Sequence, residues 1–238
     1  MSEPLQSDDD ALLAEQAAYY RARAPEYDEW WQRQGRYDRG ADATARWREE
    51  VGQVSQALDG LHLAGDVLEL ACGTGWWTER LARGAATLTC VDASPEALAI
   101  NRARLAGAGL ALPRYVEADL FAWTPERAYD VVFFSFWLSH VPPERFERFW
   151  EAVAGALKPG GRAVLIDSLP DETSTARDHS MPDERGLQER RLNDGRAFRI
   201  VKLFREPGEL ASRLAELGWR TESGRTPTYF VYGSATRA

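Results

Sequence analysis

The decapeptide from Asp66 to Gly75, D-V-L-E-L-A-C-G-T-G, holds the residue types best suited to bind a ligand. A short apolar run passes through an acid, Glu69, and ends in a small-residue turn, the way a buried parallel strand hands over to a helix N-terminus. Gly73 and Gly75 have no Cβ, so the backbone there can turn tightly and lie close against a ligand. A helix over Trp76 to Gly84 would aim its first N–H groups at that ligand. The arrangement predicts a nucleoside pocket at the carboxyl end of a strand, where ligands of open α/β sheets sit. The alternative is an ordinary strand-to-helix turn whose glycines are incidental.

Other groups stand downstream at informative distances. Asp92 lies 17 residues beyond Gly75, the length of one helix plus one strand, and closes the apolar run Thr87 to Val91. A carboxylate there can accept two hydroxyl hydrogen bonds from a ribose diol. It can equally be a helix N-terminal acid before Pro95, with Ser94 as N-cap. His140 follows the most apolar stretch, and an imidazole titrating near neutrality can take a proton from a hydroxyl, thiol or ring nitrogen. Its plainer role is a hydrogen-bonded loop histidine. Arg177, His179, Arg190 and Arg191 could meet an acidic substrate, although solvated charges are the simpler account. Cys72 and Cys90 form no C-x-x-C pair and have no neighbouring His, which fits buried thiols in a reduced, cytoplasmic setting. No metal site is expected.

Two familiar glycine loops do not fit. A dinucleotide fold wants Gly-x-Gly-x-x-Gly, but Thr78 stands where the third glycine would be. A phosphate-binding P-loop wants Gly-Lys-Ser/Thr, and the loop holds no Lys. What remains, Glu69 followed by Gly73-Thr74-Gly75, resembles the first motif of the class I S-adenosylmethionine-dependent methyltransferases, acid-x-Gly-x-Gly-x-Gly, with Ala71 in place of the first glycine. The resemblance continues through Asp92, Ala118-Asp119-Leu120 and Leu157-Lys158-Pro159-Gly160-Gly161, in order and at matching distances. It implies that Glu69, Ala71, Gly73 and Gly75 surround S-adenosyl-L-methionine and that Asp92 binds its ribose. Asp119 would accept from the adenine amino group, Leu120 would face the ring, and Ser135 would lie near the transferred methyl. The segment Tyr19-Tyr20-x-x-Arg23-Ala24-x-Glu26-Tyr27-Asp28 is similar to the N-terminal part of small-molecule members, so Tyr20 or Tyr27 would bond the methionine end. The Asn/Asp-Pro-Pro-Tyr pattern of members that methylate amino groups of nucleic acids and proteins is missing, which argues against a base-modifying enzyme.

Composition narrows the partners. The chain has 238 residues, enough for one large α/β domain, and a formal net charge of −8 that opposes a polyanionic partner. Nine Trp point to a lined pocket or a bulky core, with Trp76, Trp137 and the N-terminal aromatics as candidate walls. No apolar run approaches the roughly 18 residues of a membrane span, and Asp8 to Asp10 is acidic where a signal peptide would be basic.

These residues need a scaffold, and hydrophobic periodicity supplies one. Met1 to Asp10 is polar and expected to fray. Helical spacing predicts two short helices from Ala11 to Trp31, joined near Pro25, then a helix from Ala43 to Leu58 capped by Gly60. Strands are expected at Val67 to Ala71, Thr87 to Val91, Pro113 to Glu117, Tyr129 to Trp137 and Arg162 to Asp167. Between them lie helices at Thr78 to Ala82, Pro95 to Leu105 and Pro143 to Leu157, with the Leu-Lys-Pro-Gly-Gly turn ending the last. From Ser168 to Glu206 the pattern lapses into a mobile stretch and a hairpin around Asn193-Asp194-Gly195. A helix from Pro207 and two strands close the chain.

The expected fold is thus a single α/β domain, a seven-stranded, mostly parallel, doubly wound sheet with a reversed edge strand. An N-terminal helical cap (1–58) precedes the cofactor-binding core (59–167), an insertion (168–206) and the closing helix and strand pair (207–238). The expected activity is methyl transfer from S-adenosyl-L-methionine to a small acceptor, most simply an oxygen, with His140 as catalytic base if the acceptor is protonated. No nucleic acid or membrane partner is expected. An RNA- or protein-modifying methyltransferase and a non-catalytic cofactor-binding module are the alternatives.

Overall fold

The structure, a computed structural model, describes residues 8–61 and 63–238. Of the stretch expected to fray, Met1 to Ser7 lies outside the described residues, while Asp8–Arg23 forms helix α1. Pro25 interrupts the helical run as expected: a 3-10 turn, Ala24–Glu26, separates α1 from α2 (Asp28–Gln32). A second 3-10 turn at Gly35–Tyr37 leads into α3 (Ala41–Gly60). Gly60 does not cap α3 but belongs to it. The helix closes on Leu61, whose right-handed backbone sends its N–H to Leu58 O, so no left-handed residue is required there.

The core alternates strand and helix. β1 (Gly65–Leu70), α4 (Thr78–Gly84), β2 (Ala85–Asp92), α5 (Pro95–Gly107), β3 (Arg114–Glu117), β4 (Tyr129–Ser135), α6 (Pro143–Gly155) and β5 (Leu157–Ser168) follow in order. The hairpin β6 (Leu187–Arg191) and β7 (Ala197–Val201) precedes α7 (Pro207–Glu216), β8 (Trp219–Arg225) and β9 (Phe230–Arg237). The main sheet has seven strands in the order β3-β2-β1-β4-β5-β9-β8. β1 to β5 are parallel, and β9 runs antiparallel to both β5 and β8, so the reversed strand lies at this edge with β8 as its rim.

Strand alternation divides the core into two layers. Val67, Val131, Phe133, Val164 and Ile166 face a cluster with Trp47, Val54 and Leu81 of α3 and α4. Their neighbours Leu68, Leu70, Val132, Phe134 and Leu165 face Phe146, Phe149, Trp150 and Val153 of α6 and Leu210 and Leu214 of α7. Both faces are covered, which is why the β4 run is continuously apolar rather than alternating. The order reverses between β1 and β4, and at that switch point the carboxyl ends of the strands leave a crevice.

The Leu-Lys-Pro-Gly-Gly stretch is a bulge inside β5 rather than a turn before it. Tyr129 faces Leu157, whereas Val131 faces Arg162, so the extra residues loop out of register with Gly160 at φ 78°. A Cβ on Gly161 would stand 3.0 Å from Asp130 O, which explains the second glycine. Lys158 Nζ reaches Asp66 Oδ2 at 2.7 Å and Asp130 Oδ2 at 2.9 Å, tying the starts of β1, β4 and β5 together.

The stretch after β5, expected to be mobile, packs on the cap. Trp30 Nε1 donates to Ser174 O at 2.8 Å, Arg177 N donates to Arg36 O at 3.0 Å, and Ser174, Thr175 and Ala176 are buried. The hairpin turns where expected, with Gly195 at φ 88°, and β7 lies along α1. Among the described residues no helix is long and apolar enough to cross a membrane.

Candidate functional site

A cavity of about 630 Å³ opens at the carboxyl ends of β1 to β4. Its floor is the loop that leaves β1. Ala71 and Gly73 both have positive φ, 51° and 52°, and both line the cavity. A Cβ on Gly73 would meet nothing within 4 Å, so it would project into open cavity space and narrow it. Gly75, at φ 93°, does not line the cavity. A Cβ there would come within 2.8 Å of the Asn101 side chain, so this glycine lets α5 pack against the loop.

Glu69 is not a cavity residue either. Its carboxyl lies behind the loop, accepting from Thr78 Oγ1 at 2.6 Å and Cys90 Sγ at 3.5 Å. Asn101 Nδ2 in turn donates to Thr78 Oγ1 at 2.8 Å and to Gly73 O at 3.3 Å, so the acid anchors a buried network that shapes the loop from beneath. Burial pushes the Glu69 carboxyl up to about 8. Cys72 and Cys90 are buried free thiols, and burial raises both above the ordinary thiol range.

Asp92 lines the cavity at the end of β2. Its Oδ2 accepts the Gly73 N–H and its Oδ1 the Ser94 N–H, both at 2.9 Å. Each oxygen keeps a second lone pair for a ligand hydroxyl. Helix capping is done by Ser94, whose hydroxyl accepts the Ala97 N–H at 3.0 Å. Burial raises the Asp92 carboxyl and the backbone N–H groups oppose the rise. Asp119 and Leu120 line the cavity beyond β3, where Asp119 Oδ1 also accepts the Phe121 N–H at 2.9 Å.

The opposite wall is built from α1, Tyr27 before α2, the last residue of β4 and the residues that follow it. Tyr20, Tyr27, Ser135, Trp137 and His140 all line it. Trp76 does not: it is 36% exposed, stacks on Trp31 and donates from Nε1 to Asp28 Oδ1 at 2.9 Å. His140 is buried, with Nδ1 2.5 Å from Val201 O. A carbonyl can only accept, so the proton sits on Nδ1, and Nε2 accepts the Tyr20 hydroxyl at 2.7 Å. Burial, then Lys202, hold this imidazole well below its ordinary range, so it is neutral. Burial likewise pushes the Tyr20 phenol far up.

Of the four basic residues singled out in the insertion, two point outward and two inward. Arg177 and Arg191 are exposed. His179 and Arg190 are buried, with Arg190 Nη1 3.4 Å from His179 Nδ1. Burial, then Arg190, bring His179 down to about 3. The sequence reading also missed cavity residues such as Gln16, Arg21, Phe136 and Arg145. Gln16 and Arg21 share the α1 face of Tyr20, a helical spacing that was legible. Phe136 was not, because its φ of 53° follows from where β4 ends. Among the described residues no cluster of His, Cys, Asp and Glu could hold a metal ion.

A glycine loop, a carboxylate after β2 and a crevice at the switch point define an α/β protein built around a nucleoside-containing ligand. Comparison with known proteins makes this specific. The family described as a methyltransferase domain matches residues 67–161. A solved DhpI–SAM–HEP complex is 38% identical, with a TM-score of 0.79, covering 98% of this chain and 100% of that one. The ubiquinone biosynthesis O-methyltransferase of Cronobacter sakazakii is 32% identical over 117 residues, 48% of this chain and 46% of its own length. The demethylmenaquinone methyltransferase of Tropheryma whipplei is 31% identical over 123 residues, 52% of this chain and 48% of its own. The chain spans about half the length of these curated relatives. It belongs to the class I S-adenosylmethionine-dependent methyltransferases, and S-adenosylmethionine is its cofactor.

Proposed function

We propose that the protein methylates an oxygen atom of a small acceptor. The observation that carries this reading is the form of the acceptor side of the cavity. It is roofed by α1 and flanked by the hairpin, with Tyr20, Phe136 and His140 between them, so a small molecule fits where a folded macromolecule does not. The curated relatives include O-methyltransferases of ubiquinone biosynthesis, which supports oxygen as the acceptor.

The cavity suits the cofactor: Asp92 would hold the ribose diol, Ala71 and Gly73 would lie against the methionine portion, and Asp119 and Leu120 would meet the adenine. Tyr20 and Tyr27 would close over the methionine end, and Ser135 would stand near the methyl. When bound, S-adenosylmethionine supplies a methyl on a sulfonium: an acceptor oxygen lone pair bonds the carbon as the carbon–sulfur bond breaks, leaving that electron pair on sulfur. The chain's own contribution is to hold both reactants in line and keep water out.

His140, the candidate base, can receive an acceptor proton only through the Tyr20 hydroxyl, which occupies its Nε2. The resulting imidazolium would be opposed by burial and by Lys202, Arg190 and Arg23. The geometry therefore favours an acceptor that arrives ionised, with His140 orienting Tyr20. Incubation with methyl-labelled S-adenosylmethionine and a panel of small carboxylic acids, phosphoryl compounds, phenols and amines tests the proposal. Label on an acceptor oxygen is the expected result, and label on amines alone would overturn it.

A further inference from the structure

Beside the nucleoside pocket lies a second, smaller cavity of about 40 Å³, which shares Tyr20, Tyr27, Phe136 and His140 with it. A single water needs about 10–15 Å³ of such space, so this chamber has room for a group of several heavy atoms. Arg23, Arg190 and Lys202 line it, and their exposures are only 5%, 9% and 5%. Such residues are rarely this buried unless paired.

Their pairing is incomplete. Arg23 Nη2 donates to Tyr37 Oη at 3.1 Å, and the guanidinium lies 4.6 Å from the Tyr27 ring centroid. Arg190 Nε donates to Gln188 Oε1 at 2.8 Å. Among the described residues no carboxylate comes within ion-pair distance of either guanidinium. Lys202 Nζ donates to Ser139 Oγ at 2.8 Å and lies 3.6 Å from Asp167 Oδ1. Asp167 spends its other oxygen on the Ser139 N–H at 2.8 Å. Asp171, the carboxylate that does line the chamber, accepts the Thr173 N–H at 2.7 Å and lies near Arg33. Three buried cations and one carboxylate, Asp171, thus line the chamber, and Asp167, outside that lining, pairs with Lys202 alone, so positive charge is in excess and its field is felt by their neighbours. Burial and Arg190 bring Lys202 down to about 8 despite Asp167, and the same cations help to depress His140.

An uncompensated buried cation is costly, and two guanidinium forks with an ammonium match the oxygens of a carboxylate or phosphoryl group. We propose that this chamber is the oxyanion subsite of the methyl acceptor, in which Arg23, Arg190 and Lys202 take a carboxylate or phosphoryl headgroup. The inference rests on the proposed function above and names its substrate class. A negative headgroup supplies the missing counter-charge and arrives without a proton to remove, so the neutral His140–Tyr20 pair needs no change of charge.

The test uses the full chain saturated with S-adenosylhomocysteine and titrated calorimetrically, at constant ionic strength, with inorganic phosphate in one arm and acetate in the other. Saturable binding is expected in at least one arm, phosphate prevailing for a phosphoryl acceptor and acetate for a carboxylate. Arg190→Met should weaken it about ten- to a hundredfold while S-adenosylhomocysteine binds as before. Lys202→Met provides a second variant should Arg190→Met fail to fold. Without ligand, Arg190→Met should melt no lower than the wild type, because it removes an unpaired charge, and phosphate or acetate should no longer raise its melting temperature. Failure of S-adenosylhomocysteine to bind would strike at the nucleoside pocket and not at the subsite. No saturable binding of either anion to the loaded chain, or equal binding to wild type and variants, would overturn the proposal.

Discussion

Asp92, half-buried, and Glu69, buried, are carboxylates near one loop, yet they do different work. Asp92 faces the cavity and also fixes the Gly73 and Ser94 N–H groups, so Asp92→Ala should lower affinity for S-adenosylmethionine about ten- to a hundredfold. Calorimetric titration would measure this. Glu69 acts on stability. Its pKa is raised from 4.5 to about 8 on folding, so the folded chain prefers the protonated acid. That preference is fully present below the unfolded value and lost as pH rises through the folded one. Melting temperature should therefore fall across that window, and Glu69→Gln should flatten the fall. Ala71 is a third case, an L-residue at φ 51° where the family motif has glycine. The left-handed backbone costs about 1–2 kcal/mol, and glycine's unfolded-state entropy returns roughly 0.4–1 kcal/mol. Ala71→Gly should then raise stability by up to about 1.6 kcal/mol, a shift of at most about 3–6 °C in thermal melting.

At the scale of elements, the cap is joined to the glycine loop through the polar contacts of Asp28, beside the stacking of Trp31 on Trp76. Asp28, at the start of α2, accepts from Thr74 Oγ1 at 2.7 Å and Trp76 Nε1 at 2.9 Å, and it pairs with Arg104 of α5. Asp28→Ala leaves Trp76 and Arg104 able to reach water but strands the buried Thr74 hydroxyl, so stability should fall by about 1–2 kcal/mol, measured by chemical denaturation. Affinity for S-adenosylmethionine should fall as well, because Thr74 lines the cavity. The break between α1 and α2 at Pro25, the β4 run and the Asn193-Asp194-Gly195 hairpin were legible because each follows from local rules of ring geometry, periodicity or turn type. The Leu-Lys-Pro-Gly-Gly bulge was not, since its register depends on Asp130 of a neighbouring strand. Asp28 was visible as an acid within a recognisable segment, but its three partners come from other elements.

Over the whole molecule, α1, the turn after β4 and the hairpin are knotted over the cavity. Gln16 Nε2 donates to His140 O at 3.2 Å, Val201 N donates to Gln16 Oε1 at 2.9 Å, and His140 Nδ1 donates to Val201 O at 2.5 Å. Ligand binding beneath this roof should slow hydrogen exchange in α1 and in residues 187–201 while leaving the β8–β9 edge unchanged. Exchange in the presence and absence of S-adenosylhomocysteine would show it, and uniform protection would argue against the roof closing on the ligand. The sequence alone determined the order of elements, the glycine loop and the acid after β2, because these rest on periodicity and spacing along a single strand–turn–helix unit. Only the tertiary structure decided that Glu69 lies behind the loop, that His140 is spent on Tyr20, and that Arg23, Arg190 and Lys202 meet. Those residues are brought together from separate parts of the chain by packing, and burial then sets their charge.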